Sequence, residues 1–285
     1  MRAKYIVLGS SLILLIFFTL IIKAGSYLSS PFQSTIGNPP NTIKVEKVSF
    51  SSASGSEISG WFIPGKISLG GILLLHGVRS NRLQMLQRAE FLNEYGYSVL
   101  LIDLQAHGES KGKQITFGYL ESMDADAAYE FLENKLSNKH IGIIGVSLGG
   151  ASALLGQSSK KAKAIILESV FPSIEEAIKN RFTIRFGDLG KYLAPLLTVQ
   201  MEPRLGINAN QLRPIDHVAN VKGAILIVCG SLDKHTTLDE SKRIYNRANN
   251  PKQFWAVDGA GHIDFSTFVE DRYKTKVLSF FKEYL

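Results

Sequence analysis

Short apolar runs alternate along the chain with longer stretches that carry apolar residues at helical spacing. The runs are rich in branched residues, as in GILLL at 71–75, which is typical of strands buried on both faces. Strands are predicted at residues 43–51, 57–63, 71–75, 97–103, 141–145, 163–168, 223–229 and 252–257. Helices are predicted at residues 82–95, 119–136, 148–158, 238–249 and 266–284. The alternation predicts an α/β fold: a mostly parallel eight-stranded sheet with helices on both faces and an antiparallel hairpin at its start.

The alternation stops between residues 170 and 218. This stretch contains the apolar segment KYLAPLLTVQM (191–201) and two further prolines, Pro203 and Pro214. Connections of such length are uncommon unless they serve a function. We therefore expect a small cap inserted after strand 163–168, with irregular surface packing as the alternative.

An uncharged apolar segment lies near the N-terminus, at residues 5–22. As a helix it would span roughly 27 Å, close to the thickness of the hydrocarbon core of a bilayer. Arg2 and Lys4 precede it, so we expect a single-pass membrane anchor with a cytoplasmic N-terminus and the rest of the chain on the far side. The alternative is a signal peptide cleaved near Ala24, which would leave a secreted protein.

The segment after the apolar stretch is rich in glycine, serine, proline and asparagine, as linkers often are. The predicted organisation is an anchor at 1–24, a linker at 25–42 and one domain at 43–285 that includes the insertion at about 170–218.

Composition and charge exclude several classes of function. The 285-residue chain has a net charge of +7, of which Arg2, Lys4 and Lys23 supply three, so +4 remains for the rest. This mild charge, without a basic run, does not indicate nucleic-acid binding. No clustered metal-ligand motif or dinucleotide fingerprint occurs in the sequence, so no cofactor is expected. The single cysteine, Cys229, ends an apolar strand and cannot form an internal disulfide.

The pentapeptide GVSLG at 145–149 lies between a predicted strand and a predicted helix. A serine on such a sharp turn presents its hydroxyl at the end of the sheet, and the small residues around it give the backbone room to turn. Ser147 is therefore the candidate nucleophile.

A serine nucleophile needs a base, and the base needs a carboxylate that orients it. Asp233 follows strand 223–229, and His262 follows strand 252–257. Because the carboxyl ends of parallel strands meet at one edge of a sheet, we expect Ser147, Asp233 and His262 to come together. Asp258 and Asp264 flank the histidine and are the competing orienting groups.

The remaining histidines fit the role of base less well. His76 is expected to be a hydrogen-bonded turn residue, and His140 starts a strand at the wrong end of the sheet. His217 lies in the insertion or at its exit. His235 is expected to lie on the polar surface of a loop.

Two backbone N–H groups are candidates for holding a developing oxyanion. One belongs to Leu148, directly after the candidate nucleophile. The other belongs to Val78, in the loop HGVRSN (76–81) that follows strand 71–75.

These motifs together resemble the α/β-hydrolase superfamily, and most of all its monoglyceride-lipase-like and serine-aminopeptidase-like branch. The matching pieces occur in order over residues 45–285: LLLHGVRSN, DLQAHGES, GVSLGG, VCGSLDKHT and GAGHIDF. The resemblance implies structural roles for Asp103 and His107, at a turn that shapes the pocket wall.

The sequence predicts a serine hydrolase that cleaves carboxylic esters, either lipid-like or small acyl esters, through an acyl-enzyme. Apolar residues of the insertion would favour an aliphatic acyl group, and the other expected partner is the membrane, through residues 5–22. The alternatives are a thioesterase, an aminopeptidase-type peptidase with Glu168 as anchor for the substrate's amine, and a membrane-tethered binding module without activity.

Overall fold

A central sheet organises the computed structural model, which describes residues 2–41, 43–66, 69–137 and 140–285. The strands are β1 (Phe32–Gln33), β2 (Glu46–Ser51), β3 (Glu57–Ile63), β4 (Gly71–Leu75), β5 (Ser98–Ile102), β6 (His107–Gly108), β7 (Ile141–Val146), β8 (Ala164–Glu168), β9 (Ala224–Gly230) and β10 (Lys252–Val257). The helices are α1 (Arg2–Ser29), α2 (Leu86–Tyr95), α3 (Tyr119–Lys135), α4 (Leu148–Leu155), α5 (Ser158–Lys161), α6 (Ile174–Phe186), α7 (Leu189–Thr198), α8 (Met201–Leu205), α9 (Leu238–Arg247), α10 (Phe265–Phe268) and α11 (Glu270–Tyr284).

The predicted eight-stranded, mostly parallel sheet is confirmed. Its strands lie in the order β10-β9-β8-β7-β4-β5-β3-β2, and only β3 pairs in the antiparallel sense with its neighbours β2 and β5. Leu73 in the centre of β4 lies opposite Leu100 on one side and Ile143 on the other. The serine turn after β7 therefore lies near the middle of the sheet.

Two apolar layers cover the two faces of this sheet. Successive strand residues point to opposite faces, so Leu73 packs in the layer beneath α3, α4 and α9, and Leu74 packs in the layer beneath α2 and α11. Both leucines are fully buried. Burial of such a side chain stabilises the fold by about 1.5–3 kcal/mol, which explains why the central strands are apolar on both sides.

Some helix boundaries differ from those that the periodicity predicts. The predicted helix 82–95 begins with a 3₁₀ turn at Arg82–Met85, and the predicted helix 266–284 is divided into α10 and α11 at Val269. The helix after the serine turn ends at Leu155, because Asp126 accepts hydrogen bonds from the N–H groups of residues 157 and 158 and starts α5.

The insertion between β8 and β9 is helical. It consists of α6, α7 and α8, followed by 3₁₀ turns at Ala209–Gln211, Pro214–Asp216 and Val218–Asn220. Ser173 caps the start of α6 by accepting a hydrogen bond from the N–H of Glu176 (3.3 Å). Helices α6 and α7 pack closely at Gly190, where a Cβ would lie 2.3 Å from the backbone of Phe182.

Helix α1 runs past the predicted end of the anchor at residue 24. Residues Gly9–Ser29 have a mean hydropathy of 2.0, so the helix is long and apolar enough to cross a membrane, a test that a signal sequence also passes.

The first part of the predicted linker at 25–42 is packed against the domain. The Ser29 carbonyl accepts a hydrogen bond from the N–H of Ile115 (2.8 Å), and β1 pairs in parallel with β6. Composition did not predict this packing. Serine and glycine are common in linkers, but they also allow one backbone segment to pack closely against another.

Candidate active site

Ser147 occupies a strained turn between β7 and α4. Its backbone has φ 48° and ψ −107°, values that a residue with a side chain rarely adopts. A Cβ at Gly149 would lie 2.3 Å from the carbonyl oxygen of Leu75, so only glycine allows the turn to pass so close to β4. The N–H of Ser147 donates to the carbonyl of Glu168 (2.8 Å), which ties the turn to β8.

His262 and Asp233 meet at the adjacent ends of β10 and β9. The Nδ1 atom of His262 lies 2.7 Å from Oδ2 of Asp233. The carboxylate also accepts hydrogen bonds from Ser169 Oγ (3.1 Å) and from the N–H groups of His235 (2.8 Å) and Thr236 (2.9 Å). Four donors therefore hold the carboxylate in one position.

These contacts determine the charge of Asp233. Burial raises the pKa of its carboxyl group, but the hydrogen bond and charge interaction with His262 and the two backbone N–H donors outweigh burial and hold the pKa below its ordinary value. The group is therefore ionised at neutral pH and accepts a hydrogen bond from Nδ1. That hydrogen bond leaves Nε2 of the neutral imidazole free to act as a base.

The two competing carboxylates are engaged elsewhere. Asp264 accepts hydrogen bonds from Arg88 (2.9 Å) and from the Ser266 hydroxyl (2.6 Å). Asp258 lies 3.5 Å from the hydroxyl of Ser231. Of the three candidates, only Asp233 contacts His262.

Ser147 lines two adjoining cavities. The polar cavity, of about 260 Å³, is lined by Ser147 and His262 together with Val78 and His235. The apolar cavity, of about 240 Å³, extends from Ser147 beneath the insertion to the end of α1. Its lining is Gly25, Leu28, Ser29, Val78, Arg79, Phe117, Ser147, Leu148, Phe171, Ile174, Ala177, Ile178, Arg181, Leu197, Gln200, Met201, Arg204 and Leu205.

Both predicted oxyanion donors lie beside the serine. Leu148 is the first residue of α4, and the first N–H groups of a helix have no intrahelical acceptor. The loop around Val78 is held on both sides, since Gln84 Oε1 accepts from the N–H of Gly77 (2.8 Å) and His107 Nε2 accepts from that of Arg79 (3.1 Å).

Asp103 and His76 reinforce that loop from below. Asp103 accepts from the backbone N–H (2.7 Å) and the guanidinium (2.7 Å) of Arg82 in a fully buried ion pair. Burial, together with the charge of neighbouring His107, lowers the pKa of His76 to about 3. His76 is therefore neutral, and its Nε2 accepts from the N–H of Leu104 (3.0 Å), so these residues support the turn and lie away from the cavity.

The fold and the site have counterparts among known proteins. The model of the family described as serine aminopeptidase, S33, matches residues 68–214, more than half of the chain. The chain belongs to this family of α/β hydrolases. It is 26% identical over 243 residues to the uncharacterised protein YqkD of Bacillus subtilis, covering 83% of this chain and 80% of YqkD. It is also 26% identical over 253 residues to YfhR of Escherichia coli K12, covering 85% and 82%.

Solved structures agree with this assignment. The Pyrococcus furiosus esterase Pf2001 is 25% identical and superposes with a TM-score of 0.75, over 90% of this chain and 98% of the esterase. An esterase of Thermogutta terrifontis, 18% identical with a TM-score of 0.59 over 84% and 98% of the two chains, shares the fold.

Two residues of this hydrolase belong to the site although the sequence did not predict them there. His235, expected on the loop surface, lines the polar cavity with its ring centroid 5.2 Å from that of His262. Ser169 directly follows β8, has φ 48° and bonds to Asp233. Both come just after a parallel strand, which is the signal that would have found them.

Glu168 is buried in an ion pair. Its carboxylate accepts from Arg88 Nη2 (2.7 Å) and Nε (3.2 Å) and from the hydroxyl of Tyr273, and both charged side chains are almost fully buried. Both carboxylate oxygens are therefore already engaged, so Glu168 is not free to anchor a substrate's amine as the peptidase alternative required.

Proposed function

We propose that this α/β hydrolase is a serine hydrolase that cleaves carboxylic esters through an acyl-enzyme. One observation carries the proposal: Ser147, on its strained turn, lines the same cavity as His262, whose Nδ1 is bonded to Asp233. A nucleophile, a base and an orienting carboxylate from three different strand ends are the set that acyl transfer from an ester requires.

In the proposed reaction, Nε2 of His262 takes the proton of the Ser147 hydroxyl as its oxygen attacks the ester carbonyl. Asp233 stabilises the imidazolium that forms, and the N–H groups of Leu148 and Val78 bind the oxyanion. The tetrahedral intermediate collapses by releasing the alcohol, which receives its proton from His262. Water, deprotonated by His262, then attacks the acyl-enzyme and releases the carboxylic acid.

The apolar cavity supports an acyl ester as the substrate. It begins at Ser147 and is lined mostly by aliphatic and aromatic side chains, so an aliphatic acyl group can be buried there. Each buried methylene is worth about 0.8 kcal/mol, or roughly a fourfold gain in kcat/KM until the cavity is full. The likeness to an esterase that is 25% identical supports the same substrate class.

The peptidase named in the family description is the second candidate. The engagement of Glu168 with Arg88 and Tyr273 disfavours it, because the substrate's amine would lack its anionic partner. A binding module without activity is disfavoured by the complete set of Ser147, Asp233 and His262.

We also propose that α1 anchors the hydrolase in a membrane as a single-pass helix. Its exposed apolar surface and the basic residues Arg2 and Lys4 support an anchor with a cytoplasmic N-terminus. The catalytic domain, with the insertion at 170–218 as its cap, would then lie outside the cytoplasm.

The test combines a covalent probe with a substrate panel. The full chain is treated with a fluorophosphonate and assayed on p-nitrophenyl esters from acetyl to octanoyl and on aminoacyl anilides. We expect labelling of Ser147, ester rates that rise with chain length, and slower anilide cleavage. Ser147→Ala should lose labelling and turnover by about 10⁴–10⁶-fold, whereas Ser49→Ala, on the edge strand, should keep both. Faster anilide than ester cleavage would favour the peptidase, and no labelling would reject the serine mechanism.

A further inference from the structure

The last turns of α1 form a wall of the apolar cavity. Gly25, Leu28 and Ser29 line this cavity together with Ser147, although they precede the hydrolase domain in the chain. The helix with the composition of a membrane span therefore ends at the site itself.

The insertion holds this end of α1 from one side. Arg204 of α8 donates to the carbonyl of Ile22 (3.0 Å) and to the hydroxyl of Ser26. Oε1 of Gln200 lies 2.8 Å from the position that a Cβ at Gly25 would take, so α1 and the insertion are in contact at this point. Cationic groups are favoured near the carbonyl end of a helix, which supports the contact with Arg204.

The loop that carries the oxyanion donor holds the same end of α1 from the other side. Arg79, next to Val78, donates to the carbonyl of Tyr27 (3.1 Å), and its guanidinium lies 4.5 Å from the centre of the Tyr27 ring. The position of α1 is thus coupled to both the insertion and the loop beside Ser147.

Exposed apolar side chains also occur outside the cavity, on the elements that form its walls. Tyr192 on α7, which contacts α1, is 78% exposed, and Val199, directly after α7, is 64% exposed. On α1, Leu20 and Ile22 are also exposed. Apolar side chains in such positions suit a bilayer and its interface.

We propose that α1 serves as one wall of the acyl-binding site as well as a tether, so that the substrate is an acyl lipid from the bilayer that holds α1. Its chain would pass from the bilayer along α1 into the apolar cavity, between Leu28 and the insertion, and bring its ester to Ser147. Along this path the acyl chain stays in contact with apolar side chains. On a path through water, each exposed methylene would disfavour entry by about fourfold. This inference rests on the proposed ester hydrolase and on the proposed membrane anchor.

The first experiment places a larger side chain in the wall that α1 forms. The full chain is reconstituted in phosphatidylcholine vesicles, with monooleoylglycerol in the bilayer and p-nitrophenyl acetate in solution as substrates. We expect Leu28→Trp to lower the ratio of oleoyl to acetyl kcat/KM by about 15-fold, the effect of losing roughly two buried methylenes. Leu20→Trp, the matched change on the exposed part of α1, should leave that ratio unaltered. An unaltered ratio in Leu28→Trp would overturn the proposal.

A second experiment does not depend on turnover or on the folding of the tryptophan variant. Ser147→Ala in vesicles is irradiated with a phospholipid whose acyl chain carries a terminal diazirine. We expect label on the peptide containing Leu28 and on that containing Met201, which lies across the cavity. Label confined to residues 9–22 would overturn the proposal. If the wild type neither hydrolyses acetate nor reacts with fluorophosphonate, the ester-hydrolase function fails, while the labelling still tests the wall.

Discussion

At the scale of single residues, the position of one carboxylate decides what His262 can do. Asp233 is fixed by two side-chain partners and two backbone N–H groups, so it faces Nδ1 without rearrangement. This fixed position matters together with the nature of the group that occupies it. An amide of the same shape could donate a hydrogen bond to Nδ1 and would then stabilise the wrong tautomer of the imidazole.

This argument predicts the effect of Asp233→Asn. We expect kcat for ester hydrolysis to fall by about 10³–10⁴, since Nε2 of His262 would then carry the proton and could not act as a base. Asp258→Asn is the matched control, because Asp258 lies four residues before the same histidine and does not contact it. Steady-state kinetics on one ester check both variants, and a larger loss in Asp258→Asn would contradict the assignment.

The buried histidine beneath the loop predicts a dependence of stability on pH. His76 has a pKa of about 3 in the fold against about 6.5 in the unfolded chain, so only the unfolded state takes up a proton between these values. The contribution of a neutral His76 is full above pH 6.5 and falls as the pH drops, by about 2 kcal/mol at pH 5.

The measurement compares the unfolding temperature of the wild type and His76→Gln in detergent at pH 7 and pH 5. The wild type should lose more stability than the variant, which cannot take up that proton. Equal losses would show that His76 is not the group responsible.

The residues that the sequence located share one property. Ser147, Asp233 and His262 each follow a parallel strand, so the order of strands alone predicted their meeting at one edge. His235 and Ser169 follow strands as well, but their contacts depend on how each loop turns back. A loop's path is determined by hydrogen bonds between distant residues, which periodicity does not contain.

At the scale of elements, a buried ion pair connects the loop after β4 to the end of β5. Arg82 and Asp103 are both almost wholly buried, and Asp103 also accepts from the N–H of Glu109 (2.8 Å). The pair holds the 3₁₀ turn after the loop that carries Val78. Its loss would therefore disturb both stability and the position of Val78, the proposed oxyanion donor.

We predict that Arg82→Met destabilises the fold by about 3–5 kcal/mol, because it leaves the Asp103 carboxylate buried without a counter-ion, held only by backbone N–H groups. Lys111→Met removes a basic partner from an exposed pair with Glu57 and should produce no measurable change. Urea unfolding in detergent followed by tryptophan fluorescence checks both variants. Equal losses would show that burial of the pair carries no special cost.

Element types were more predictable than their ends. The apolar runs of β4, β7 and β9 and the helical spacing of α3 were sufficient to identify them, because these strands are buried on both faces and α3 buries one face with a helical period. The pairing of β1 with β6 could not be predicted, since two residues carry no period. The contact of α1 with the insertion near Gly25 likewise involves a partner some 175 residues later in the chain, Gln200.

At the scale of the whole molecule, three parts of the chain converge on Ser147. The carboxyl ends of the central strands supply its chemistry, α6 to α8 cover it, and the end of α1 closes the apolar cavity. As the proposed tether, α1 would restrict how the domain can rotate above a bilayer, because it also borders the site. The orientation of α1 would therefore determine which side of the membrane the site serves.

The membrane orientation gives the last prediction. Arg2 and Lys4 lie just before the apolar segment, and positive residues at a helix end are retained in the cytoplasm. A C-terminal alkaline phosphatase fusion expressed in bacteria should therefore be active, and a C-terminal fusion to green fluorescent protein should not fluoresce. Exchanging Arg2 and Lys4 for glutamate should lower the phosphatase signal, because that retention is removed.

Mass spectrometry of the membrane fraction should recover the uncleaved N-terminus, since α1 remains part of the folded protein through its contacts with Arg204 and Arg79. A mature N-terminus near Tyr27 would reject the anchor, and with it the wall formed by Gly25. Fluorescence with inactive phosphatase would instead place the site in the cytoplasm, on the opposite leaflet.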